Sequence, residues 1–110
     1  MNFEEYQKKS KETAAYPEIG GKGFIYPVMG LTGEAGEVAE KVKKIFRDDK
    51  GEVTEERKEM IKKELGDVLW YLAQVCTEFG MSLDEVALNN LEKLLSRKER
   101  GKITGDGDNR

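Results

Sequence analysis

Two acidic pairs carry the clearest chemical pattern in this 110-residue sequence: Glu34 and Glu37 in GLTGEAGEVAEK, and Glu64 and Asp67 in KKELGDVLWYL. Each pair has the i,i+3 spacing that places both side chains on one helix face, about 5–6 Å apart at Cβ. Each acid also stands just before an apolar residue of a helical seam: Ala35, Val38, Leu65 and Val68. Two antiparallel helices packed through those seams would bring four carboxylates to one place beside the core. Oxygen ligands select hard cations such as Mg²⁺, Mn²⁺ or Ca²⁺. A di-iron bundle would call for Glu-x-x-His motifs, and the chain has no histidine. Mg²⁺ commonly bridges protein carboxylates to substrate phosphates, so the pattern points to phosphoryl chemistry on a polyphosphate.

A solvated acidic face is the competing reading, and neighbouring acids illustrate it. Glu40 has Lys44, and Glu59 has Lys63, at the favourable i,i+4 ion-pair spacing; Glu37 has Lys41 likewise. Glu34, Glu64 and Asp67 lack such a partner, since the residues four on are Val38, Val68 and Tyr71. Gly30, Gly33, Gly36 and Gly66 lie beside the acids, each costing a helix interior about 1 kcal/mol relative to Ala. That cost is most readily accepted where another backbone or a ligand must come close. A third group, Asn90, Lys93 and Arg97, is spaced i, i+3, i+7 along one face. Lys and Arg one turn apart make a phosphate clamp; a basic stripe favoured by the helix C-terminus is the alternative. Lys41, Lys43 and Lys44 read as surface lysines, although one could reach a phosphate, and Trp70 and Tyr71, beside Asp67, read as core ahead of a base-stacking platform.

Composition narrows the field. Without histidine there is no imidazole acid–base chemistry, no His-dependent triad and no His metal ligand. The one cysteine, Cys76, excludes an intramolecular disulfide and a Cys-rich zinc site. A net charge of −3 argues against broad electrostatic binding to nucleic acid. The opening MNFEEYQKK lacks the apolar stretch of a signal peptide, and no run is apolar enough to span a membrane. The expectation is a cytoplasmic domain filling residues 1–110, with its core at 28–99.

The elements that must position these residues are helical. Phe3 to Ala15 reads as a short helix, and YPEIGGKGFIYP, residues 16–27, as a loop. Val28, Leu31, Ala35, Val38, Val42 and Ile45 form one seam, ending in the polar run 47–51. Ile61, Leu65, Val68, Leu72, Val75 and Phe79 form another, stopped by Gly80. Ser82 and Glu85 match a capping box that starts a last helix running to about Glu99. The tail, 101–110, reads as loosely held unless a partner or ligand orders it. The expected fold is all-α, like a four-helix bundle.

Taken together, these residues resemble the MazG-type (all-α) nucleoside triphosphate pyrophosphohydrolases, whose pattern is ExxE, a spacer and ExxD. Here 26 residues separate Glu37 from Glu64. GLTGEAGEVAEKVKK, KELGDVLWYLA and NLEKLLSR look like the family's core and last-helix signatures, and RGKITGDGDNR like the ending of small MazG-like members. The resemblance implies Mg²⁺-dependent hydrolysis of an NTP or dNTP to the monophosphate and pyrophosphate, with Mn²⁺ a possible substitute, in the service of nucleotide-pool cleaning. It makes Glu34, Glu37, Glu64 and Asp67 the metal ligands, with Glu37 also orienting or deprotonating the attacking water. Asn90, Lys93 and Arg97 would contact phosphates. It further implies a homodimer or homotetramer. Two alternatives stand beside it: a related enzyme specialised for dUTP, dCTP or phosphoribosyl-ATP, and a non-catalytic helical oligomer that binds a partner or senses metal or nucleotide.

Overall fold

The computed structural model describes all 110 residues as four α-helices with no strand: α1 Phe3–Lys11, α2 Ile25–Asp48, α3 Glu55–Glu78 and α4 Leu83–Glu99. Three of the four begin on a side-chain cap. Asn2 Oδ1 accepts from Glu5 N at 2.8 Å, Thr54 Oγ1 from Arg57 N at 3.1 Å, and Ser82 Oγ from Glu85 N at 3.2 Å, each satisfying an otherwise orphaned first-turn N–H. Ser82 is therefore the N-cap that the sequence indicates.

Two boundaries differ from the expectation. α1 ends at Lys11 rather than Ala15, where the backbone tightens into i→i−3 bonds from Glu12 N to Lys9 O, Thr13 N to Ser10 O and Ala14 N to Lys11 O. α2 begins at Ile25, so Ile25, Tyr26 and Pro27 belong to its first turn and not to the loop. Pro27 is tolerated there because a first-turn N–H needs no intrahelical acceptor.

The long helices α2 and α3 pair as an extended hairpin, and α1 lies across α3 and α4. The buried core is small: Ala73, Cys76 and Leu83, with Tyr6, Leu69 and Leu72 packed on it. Gln7 ties α1 to the α3–α4 turn. Its amide donates to Thr77 Oγ1 (3.1 Å) and Met81 O (2.9 Å), and its carbonyl accepts from Leu83 N (2.9 Å). Beside it Gln74 Nε2 donates to Ser10 Oγ at 2.9 Å, and that hydroxyl donates to Gln7 O at 2.9 Å.

The seams are only partly used within one chain. Ile45 is buried and Leu31 and Val38 are half-buried, but Val28, Ala35 and Val42 are exposed. On α4, Leu91, Leu94 and Leu95 are exposed, as are Leu65 on α3 and Phe46 on α2. The radius of gyration is 17.0 Å, against about 13 Å for a compact chain of this length. The accessible surface is 8127 Å², against roughly 6,200 Å² for a monomer of this mass. The chain is open, and its openness is apolar. No helix is long and apolar enough to cross a membrane.

Candidate functional site

The α2–α3 pairing brings three of the four acids together. Glu34 from α2 and Glu64 and Asp67 from α3 each offer a carboxylate oxygen, all within 4.8 Å of one another. Glu34 and Glu64 are half-buried and Asp67 is exposed. Burial foremost, and then the negative charges of Asp67, Glu64 and Glu37, hold the Glu34 carboxyl above its ordinary value. Like charges at this separation favour proton uptake by one member or the arrival of a cation. A donor set of carboxylates alone suits a hard divalent ion, so the residues fit a metal.

Glu37 stands outside this group. Its side chain is about half exposed and pairs with Lys41 at 3.8 Å. Lys41 also reaches across the helix pair to Glu64 Oε1 at 3.4 Å, with only 19% of its side chain exposed. The sequence reading placed Lys41 on the surface; instead it is the counter-charge between Glu37 and Glu64. Its i,i+4 relation to Glu37 was visible in the sequence, but its second partner depends on how the helices pack.

A cavity of about 350 Å³ opens on Glu34 and Asp67, walled by Thr13, Trp70 and Tyr71. Trp70 Nε1 donates to Thr13 Oγ1 at 2.8 Å, which brings the end of α1 to the site. Tyr71 packs edge-on against Trp70, with ring centroids 5.0 Å apart. The two aromatics read as core thus face the acidic cavity.

Of the glycines beside the acids, Gly30 alone marks a close approach. A Cβ there would lie 2.2 Å from the Tyr71 ring, so the aromatic wall depends on the missing side chain. Gly33, Gly36 and Gly66 have open space where a Cβ would be, and the close-approach reading does not hold for them within one chain.

Asn90, Lys93 and Arg97 share one face of α4, with Asn90 exposed and Arg97 buried to 5% exposure. α4 packs on α1 and α3 and does not touch α2, the helix that carries Glu34. The tail folds back on this face: Asp108 Oδ1 accepts from Lys93 Nζ at 2.6 Å and from Arg97 Nη2 at 3.1 Å. Lys93 first, and then Arg97, hold the Asp108 carboxyl below its ordinary value.

A protein of Mycobacterium phage L5, described as Gene 37 protein, is 48% identical over 114 residues, spanning the whole of both chains. No solved structure matches the chain. Residues 27–101, which include both acidic pairs and the α4 cluster, match the MazG nucleotide pyrophosphohydrolase domain. The chain belongs to the MazG nucleotide pyrophosphohydrolase family.

Proposed function

We propose that this protein hydrolyses a nucleoside or deoxynucleoside triphosphate to the monophosphate and pyrophosphate, with Mg²⁺, as one domain over residues 1–110. The observation that carries the reading is the convergence of Glu34, Glu64 and Asp67 from two helices within 4.8 Å. Those three side chains would hold the ion, with Glu37, one turn along α2 from Glu34, as the fourth carboxylate. A Mg²⁺ ion held there would supply charge neutralisation for the polyphosphate and a more acidic attacking water. Glu37, about half exposed, would orient or deprotonate the attacking water. Lys93 and Arg97 bind phosphate oxygens through charge-assisted contacts, with Asn90 alongside. Trp70 and Tyr71 give the cavity an aromatic wall on which a base stacks.

The acting unit is a homodimer or homotetramer. The chain exposes roughly 2,000 Å² more surface than a compact monomer of its mass would, and obligate homodimer interfaces bury areas of that order. Leu91, Leu94 and Leu95 on α4 and Val42 and Phe46 on α2 supply the apolar area. A second copy also supplies the means to bring an α4 clamp to the acids, since α4 and α2 of one chain do not touch. A panel of NTPs and dNTPs with Mg²⁺, analysed for pyrophosphate against orthophosphate, tests the activity. Pyrophosphate as the primary product and no turnover in EDTA are expected; orthophosphate as the primary product refutes it.

A further inference from the structure

We propose that the C-terminal segment is an internal anion that occupies the Lys93–Arg97 clamp and competes with substrate phosphate, with Asp108 in the place of a phosphate oxygen. This rests on the reading of Lys93 and Arg97 as phosphate contacts, which came from their spacing on α4 and not from the tail. The tail meets those same two side chains. Asp108 Oδ1 is shared by Lys93 Nζ at 2.6 Å and Arg97 Nη2 at 3.1 Å, and Arg97 Nη2 also donates to the Asp108 backbone carbonyl.

The segment is folded to make this contact. Gly101, Gly105 and Gly107 take φ of +67°, +125° and +88°, values open to glycine, and they turn the chain back on α4. Arg110 then ties the turn together, donating to Gly107 O at 2.6 Å, Ile103 O at 2.8 Å and Lys102 O at 3.2 Å. Arg100 Nη2 reaches the Arg110 carbonyl at 2.8 Å. Four hydrogen bonds thus hold the turn that presents one carboxylate to the clamp.

The fit is incomplete in an informative way. Arg97 is 5% exposed, yet its Nε has no hydrogen-bond partner. A guanidinium fork offers parallel N–H donors that a phosphate takes in pairs. Asp108 engages Nη2 alone, so a buried donor is left over for a ligand with more acceptors. The carboxylate itself is 76% exposed at the side chain, and contacts of that kind are individually weak. A phosphate that meets Lys93, Nη2 and Nε together outcompetes it. The tail therefore raises the apparent Kd for phosphate by the reciprocal of the fraction of time the clamp is free.

The test uses the full-length protein and inorganic pyrophosphate as the probe, followed by calorimetry, in wild type, Asp108→Ala and Arg97→Ala. Asp108→Ala should bind pyrophosphate more tightly, about tenfold if the clamp is free a tenth of the time. Amide hydrogen exchange over residues 103–110 should speed up when pyrophosphate binds wild type, and should already be fast in Asp108→Ala. Unchanged or weaker binding in Asp108→Ala, with Arg97→Ala impaired, would overturn the competition and leave the clamp standing. Exchange that slows on binding, with Asp108→Ala no tighter, would make the tail a closing flap instead. If Arg97→Ala binds as wild type does, the clamp is not a phosphate site, and the inference fails with it.

Discussion

Asp67→Asn separates a metal site from an acidic surface, because it removes one charge and keeps the shape. Carboxylate oxygens of Glu34, Glu64 and Asp67 lie within 4.8 Å of one another. At that separation two unit charges repel by about 3.5 kcal/mol at an effective dielectric of 20 and about 0.9 kcal/mol in bulk water. Asp67 is exposed and Lys41 already offsets Glu64 at 3.4 Å, so the value per pair belongs near the lower end. Removing both of Asp67's pairs should stabilise the metal-free protein by about 1–2 kcal/mol, or roughly 4–10 °C in Tm for a chain of this size. Mg²⁺ at ten times its Kd should stabilise wild type by about 1.4 kcal/mol. The variant should show less of that increment and almost no hydrolysis. The assay is thermal melting of both proteins at one concentration, each with EDTA and with Mg²⁺. An equal metal-induced shift in the two proteins would remove Asp67 from the ligand set and refute the reasoning.

Three further outcomes follow from the same geometry. Gly30→Ala forces a Cβ into the Tyr71 ring; it should cost about 1–3 kcal/mol in denaturant unfolding, and a neutral result would mean that Tyr71 moves freely. Burial, with Asp67, Glu64 and Glu37, raises Glu34's folded-state pKa above its ordinary value, so its contribution to stability is fully present below that ordinary value and is lost as pH rises through the raised one. Metal-free Tm should therefore fall across that window, and Mg²⁺ or Glu34→Gln should flatten the trend; an unaltered slope in Glu34→Gln would assign the titration elsewhere. Leu91→Asp places a charge on the exposed apolar face of α4 and should dissociate the oligomer in sedimentation velocity, whereas a wild type that sediments as a monomer would overturn the oligomeric reading.

Helix number, most helix ends and the phase of the acids were legible in the sequence because they are local. A 3.6-residue apolar period, Ser82 as a cap and Gly80 after α3 act over one or two turns, and Ser82 and the end of α3 fall where they point. Local rules erred where a residue suits two roles. Pro27 looks like a loop signal and is also a good first-turn residue, and the residues after Lys11 suit a tight i→i−3 turn as well as a helix.

The tertiary structure decided which acids meet. Glu34 and Glu37 are equivalent as a spacing, yet the rotation of α2 against α3 turns Glu34 into the cluster and leaves Glu37 with Lys41. It also gave Lys41 its second carboxylate and set Trp70 and Tyr71 as a cavity wall. It closed the tail on Lys93 and Arg97 through a contact 11 residues from Arg97 that no periodic pattern encodes. Spacing specifies which side chains share a helix face. Only the packing of one helix on another specifies what that face meets, because the angle and depth of the contact depend on every side chain between them.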